Sequence, residues 1–218
     1  MAFSINEFIA EGIEFGGARP NLFRVELFFP GIVGALGGGP AGGNLGVGYP
    51  DQEAGRKAMF TCMASSLPGA IIEPVNVPYF GRIVKFKGDR QYRDWNITVF
   101  NDEDFTVRSA FENWHNTMNY PESNVMDGAY LPRQQYKTNC QITQFSKVGD
   151  GGVPVGPTQG GEGIRSYTMI GSWPVQVGDI QVNWGDRNSI ETFDVTLTYD
   201  YWLPIAAGGS EAEWIGVL

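Results

Sequence analysis

One stretch of this chain leaves little choice of conformation. In residues 191–202, ETFDVTLTYDYW, the side chains of Phe193, Val195, Leu197, Tyr199 and Tyr201 alternate with those of Thr192, Asp194, Thr196, Thr198 and Asp200. A period of two puts the first set on one face of a β-strand and the second on the other. The apolar set belongs in a core. The polar set keeps strand propensity through branched threonines while carrying two carboxylates, which are costly to bury without partners. That face therefore meets water, an aqueous lumen or the polar surface of a partner. A strand this long near the end of a chain completes a sheet that earlier segments begin.

Those segments carry the same signal. Phe23, Val25, Leu27 and Phe29 share a face across residues 21–29, and Pro30-Gly31 ends the run. Residues 59–64 and 70–77 read as strands on either side of Leu67-Pro68-Gly69, and 82–87 as another. Across 92–100, Trp95, Ile97 and Val99 alternate with Asp94, Asn96 and Thr98, and Gly88-Asp89-Arg90 reads as the turn before them. Residues 137–146 and 164–171 add two strands, with Trp173-Pro174 breaking the second, and 180–184 is a short extended piece.

One helix is predicted, over residues 102–119. Asn101-Asp102-Glu103-Asp104 supplies a cap and acidic side chains for its first turn, and Val107, Ala110, Phe111, Trp114 and Met118 form one apolar stripe. The predicted core is Phe23, Val25, Trp95, Ile97, Val99, Phe111, Trp114, Phe193, Val195 and Leu197. The fold class is mainly β: a single domain over 1–218, a sandwich or barrel with one flanking helix.

Composition fits a turn-rich β protein, with 30 glycines and 13 prolines in 218 residues. Much of that glycine lies in two loops, 31–55 and 147–163. Residues 1–18 form an arm with a short helical pattern, and 203–218 a tail with Trp214 as its large anchor. Gly37, Gly39 and Gly42 match a dinucleotide fingerprint in outline, but Pro40 and Gly43 deny it the helix it needs. The net charge of −9 argues against holding a nucleic-acid duplex through its phosphates.

Cys62 and Cys140 lack the spacing of a metal site or a disulfide scaffold and read as reduced, buried thiols. No secretory leader or membrane-spanning run is evident, so neither export nor a membrane anchor is expected. The single histidine, His115, sits inside the predicted helix without a Ser or Cys in a recognisable nucleophile motif, and no cofactor or metal signature is present. Catalysis is not expected.

The charges are unevenly distributed. Residues 82–93 hold Arg82, Lys85, Lys87, Arg90 and Arg93 against Asp89 alone, a candidate contact surface for an acidic patch on another copy of the chain. Residues 173–218 hold Asp179, Asp186, Glu191, Asp194, Asp200, Glu211 and Glu213 against Arg187. They are candidates for that acidic patch or for a channel wall.

Several short motifs stand in one order: Ala18-Arg19-Pro20-Asn21-Leu22-Phe23, Leu67-Pro68, Gly88-Asp89-Arg90 with Asp94-Trp95 and Val99, and Asn101-Asp102. Trp173-Pro174 with Val177-Gly178, Thr192-Phe193 with Val195-Thr196-Leu197, and Asp200-Tyr201-Trp202 follow. In this order and spacing the chain resembles the tail tube family of contractile-tailed bacteriophages across most of residues 18–202. Segments 31–55 and 147–163 and the tail after Trp202 are additions relative to its shorter members.

The resemblance implies a non-catalytic virion subunit, made in the host cytoplasm. Six copies would join their sheets around a channel, and the rings would stack into a tube inside a contractile sheath. The sheath protein, a baseplate or tube initiator, a tape measure and a tail terminator would be its partners, and viral DNA would pass through without specific binding. Thr192, Asp194, Thr196, Thr198 and Asp200 are then candidate lumen-facing residues, and the basic run 82–93 a candidate inter-subunit surface. Related tubes occur in type VI secretion and phage-derived injection systems. A monomeric carbohydrate-binding β-sandwich is the distant alternative.

Overall fold

The computed structural model describes residues 18–30, 50–124, 136–145 and 163–206. The expected arm before residue 18, most of the glycine loop 31–55, nearly all of loop 147–163 and the tail beyond 206 lie outside them. Among the described residues are nine strands and two helices.

Strands β1 (Phe23–Glu26), β2 (Cys62–Ser65), β5 (Trp95–Phe100), β6 (Thr138–Phe145), β7 (Gly163–Val177), β8 (Thr192–Thr198) and β9 (Tyr201–Ala206) form one sheet. Its order is β1-β6-β7-β8-β5-β2, with β9 added beside β7. Every pairing in it is antiparallel. β7 is the hinge of the sheet: Arg165–Ile170 pairs with β9 and, on the other side, with β6, whereas Trp173–Val177 pairs with β8. The end strands β1 and β2 come close to each other, so the sheet curls toward a barrel that stays open at one seam.

The core fills the inside of that curve. Val25, Trp95, Ile97, Val99, Ile142, Met169, Phe193, Val195 and Leu197 are all buried, and Phe23 is half-buried against them. Helix α2 (Thr106–Met118) lays Val107, Ala110, Phe111 and Trp114 onto this core. Phe111 and Trp114 lie parallel, 6.4 Å between ring centres, with Phe29 edge-on to both. Each large side chain withdrawn from water contributes roughly 1.5–3 kcal/mol. Trp114 also donates its indole N–H to the carbonyl of Tyr136 at 2.8 Å, so its burial leaves no donor unpaired.

Several boundaries differ from the expected ones. Helix α1 (Pro50–Thr61) occupies the end of the glycine segment and the start of the strand expected over 59–64. Ala54 and Ala58, one turn apart, are its buried contacts. Helix α2 begins at Thr106 rather than at 102, and Asp102 instead accepts a hydrogen bond from the Thr106 amide at 3.1 Å. Lys57 of α1 donates to Asp102, Asp104 and Thr106, pinning the two helices together at that point.

Trp173-Pro174 does not break β7. Pro174 sits at a register shift, where a missing amide donor is tolerated. Residues 180–184 form no strand, and the long terminal strand divides at Tyr199-Asp200 into β8 and β9, so part of the expected tail is sheet.

Candidate assembly surfaces

Three surfaces stand out, and the largest is a two-stranded ribbon that belongs to no larger sheet. It consists of β3 (Ala70–Tyr79) and β4 (Arg82–Tyr92), with all of β3 and nearly all of β4 exposed. The tight turn is Phe80-Gly81, both at positive φ (43° and 79°), the backbone of a two-residue hairpin turn matched to strand twist. Gly88-Asp89-Arg90, the expected turn, lies inside β4.

There the strand carries one extra residue. Pro74 faces Lys87, but Ile72 faces Arg90. The Gly88 backbone presses against the Glu73 carbonyl so closely that a Cβ would collide with it.

The bulge sorts the charges. Cross-strand partners share a face, so Lys85 (opposite Asn76), Lys87 (opposite Pro74) and Arg90 (opposite Ile72) lie on one side of the ribbon. Without the extra residue Arg90 would point the other way. The opposite side carries Val75 with Phe86 and Val77 with Val84, exposed apolar pairs that end in Tyr79 opposite Arg82. Arg93 follows the strand, and Asp89 belongs to the bulge.

The expected basic run is thus distributed over two faces. The apolar face was missed, although Val75, Val77 and Tyr79 alternate in the sequence as regularly as the core strands do.

The ribbon is aimed by its root. Trp95 is buried, and its indole N–H donates to the Ser66 carbonyl at 2.8 Å and the Ser65 hydroxyl at 3.0 Å, fixing the chain entering β3. Tyr92, at the other leg, packs against Tyr199 and Trp202.

The second surface is the outer side of β5 and β8. Thr192, Asp194, Thr196 and Thr198 point away from the core side chains Phe193, Val195 and Leu197. Across the register, Thr98 donates to Asp194 at 2.6 Å and Thr196 to Asn96 at 2.8 Å. Asp200 does not extend this row: it sits in the interruption between β8 and β9, with Oδ1 2.7 Å from Lys137 Nζ.

The third is the β7–β8 connection, residues 178–191. Its ends are held: Gly178 N–H donates to the Asp194 carbonyl, Arg108 donates to the Gly178 carbonyl, and the Asn101 side-chain amide donates to Glu191. Between them Val182 (79% exposed), Trp184 (101%) and Ile190 (69%) stand clear of the protein beside an open groove of about 760 Å³. Asp179, Asp186, Glu191 and Asp194 also line that groove. No periodicity marks these apolar residues in the sequence.

The remaining chemistry is structural. His115 Nε2 lies 3.1 Å from the Pro174 carbonyl, the place for its N–H. Cys62 and Cys140 are free; Cys140 is buried as expected, Cys62 is only half-buried, and loss of water contact pushes both thiols up to about 12. Among the described residues no cluster of three or more His, Cys, Asp or Glu side chains is arranged to hold a metal.

The described residues thus form a curled antiparallel sheet with a projecting, uncovered ribbon. Residues 18–204 match the model of the phage tail tube protein family, and the chain belongs to that family, whose members are structural components of the virion. It is 28% identical over 185 residues to the tail tube protein gp19 of Enterobacteria phage T4, covering 85% of this chain and 90% of that one. The tail tube protein of Serratia phage KSP90 is 21% identical over 197 residues, covering 90% and 94%. Among solved structures, a chain of the PVC sheath–tube complex of an extracellular contractile injection system overlaps 94% of this chain and 100% of its own. The TM-score is 0.46 at 14% identity.

Proposed function

We propose that six copies of this chain close into a ring and that rings stack into a hollow tube inside a contractile sheath, along which viral DNA enters the host. Membership of the tail tube family supports the tube. The phage relatives favour a tail that conducts DNA over an injection apparatus that delivers protein. The role is structural, and the sheath, a baseplate or initiator, a tape measure and a terminator are the partners it requires.

The observation that carries self-assembly is the β3–β4 ribbon. An isolated two-stranded hairpin is marginal in water, and a contiguous exposed apolar face marks a contact surface. Val75, Val77, Val84 and Phe86 make such a face, and nothing in the same chain covers it among the described residues. Pro74 and Pro78 lie on β3, where each removes a donor from the outer edge. Growth of the ribbon by a further strand is therefore favoured along β4, which has no proline.

The polar row Thr192, Asp194, Thr196 and Thr198 then lines the lumen. Its outward face is polar throughout, and the Asp194 carboxylate repels phosphates, so DNA slides rather than sticks. Negative-stain images and sedimentation of the purified chain test the assembly. Hollow rings or rods support it, and a persistent monomer at micromolar concentration overturns it.

A further inference from the structure

We propose that the β3–β4 ribbon of one copy docks onto the 178–191 loop of the next, with Trp184 seated against the exposed Ile83 on the face that carries Lys85, Lys87 and Arg90, and these basic side chains opposite Asp179, Asp186 and Glu191. The inference rests on the assembly reading above and names the surfaces that meet.

The placement of the two surfaces is the first reason. The ribbon springs from the end of the barrel where Trp95 pairs with Leu197, and the loop enters β8 at the other end, where Phe100 pairs with Thr192. The six paired residues of β5 separate these ends by roughly 17–20 Å at the usual rise per strand residue. The two surfaces of one chain thus face opposite ways along the strands. A surface at one end that fits a different surface at the other joins copies head to tail, the heterologous contact that builds closed rings or open filaments.

Composition is the second reason. Residues 70–93 carry five basic side chains against Glu73 and Asp89, whereas 179–191 carry Asp179, Asp186 and Glu191 against Arg187. The charges are opposite in sign and similar in number, which favours this pairing over ribbon with ribbon or loop with loop. Both surfaces also present apolar side chains to water: Ile72 and Ile83, which share the ribbon face of the basic residues, on one, and Val182, Trp184 and Ile190 on the other. A large aromatic at the centre of a polar-rimmed patch is the usual anchor of an interface. The loop's ends are fixed by Arg108 and Asn101, so it offers Trp184 from a held frame.

The test pairs two single-cysteine additions in the full-length chain, Lys87→Cys and Asp186→Cys. Mixed during assembly and oxidised, they are expected to give at least tenfold more covalent dimer on a non-reducing gel than either alone, with wild type as the background. Lys85→Glu/Lys87→Glu/Arg90→Glu should not assemble alone and should recover in a mixture with Asp179→Lys/Asp186→Lys/Glu191→Lys. Rings or tubes that form normally without the selective cross-link overturn the docking and leave the tube reading standing. So does a charge-reversed ribbon that assembles as well as wild type, or one that its reversed partner fails to rescue. A wild-type chain that stays monomeric overturns the tube reading itself.

Discussion

Lys137 and Asp200 form an ion pair at 2.7 Å, where the terminal polar–apolar alternation stops being one strand. Tyr199 is still buried, but Tyr201 is exposed, and the strand is interrupted at Asp200 before it continues in the same direction along β7. Gly171 makes room for this interruption, with φ at +71° and its Cα so near the Asp200 carboxylate that a Cβ would strike it. Gly171→Ala is expected to cost at least about 1–2 kcal/mol from the left-handed backbone alone, and more as Asp200 is displaced. Lys137→Ala, which removes one partner of a partly exposed pair, should cost about 1 kcal/mol or less. Urea unfolding of the two variants checks the order.

Tyr199 has an unusual fault for a core residue. Its hydroxyl is buried with no hydrogen-bond partner, and burial, then Asp94 and Tyr92, push its pKa up to about 12. Tyr199→Phe removes the orphan oxygen and keeps the ring contact with Tyr92. Stability should stay level or rise by about 1 kcal/mol, read as the urea midpoint at constant slope.

The thiols give a pH dependence with a definite sign. Cys62 and Cys140 ionise near 9 when unfolded and are pushed to about 12 by burial in the fold. Above pH 9 the unfolded chain releases these protons while the folded chain retains them, so stability falls as pH rises from 9 toward 12 and is indifferent to these groups below 9. Tyr199, raised from 10, adds to the same slope. Thermal unfolding across pH 8–11 measures it. At pH 8 an aromatic disulfide reagent should label Cys62, which is half-buried beside an open groove, ahead of Cys140, which should stay unlabelled until denaturant is added.

Asp194 tests the lumen. Asp194→Lys breaks the Thr98 hydrogen bond on an exposed strand face and leaves the core side of β8 untouched. Tubes should form at wild-type yield, and phage carrying the variant should release DNA more slowly. Unchanged ejection kinetics would place this face elsewhere.

The sequence discloses elements whose pattern has a single cause. β5 and β8 alternate because one face is core and the other polar, and the stripe of α2 is visible because Phe111 and Trp114 are large. Helix α1 is hidden because its buried contacts are Ala54 and Ala58 within glycine-rich text, too small to print a stripe. Gly88-Asp89-Arg90 has turn composition but serves a bulge, while the real turn at Phe80-Gly81 places an aromatic at positive φ, which no propensity favours. Local composition cannot separate a bulge from a turn, because both need a residue without a Cβ at a close backbone approach. The exposed Trp184 leaves no periodic trace, since it lies in a loop rather than on a strand or helix face.

The central claim is that the β3–β4 ribbon is stable only when another copy covers it. Sedimentation velocity of wild type beside Val77→Lys/Phe86→Lys, at matched micromolar concentration, tests it most directly. These changes alter an exposed face and leave the core intact. Wild type should sediment as rings and rods, and the variant as a folded monomer that keeps the core's near-ultraviolet circular dichroism and melts below the assembled wild type. Rods of the variant, or a wild type that sediments as a monomer, would contradict the account.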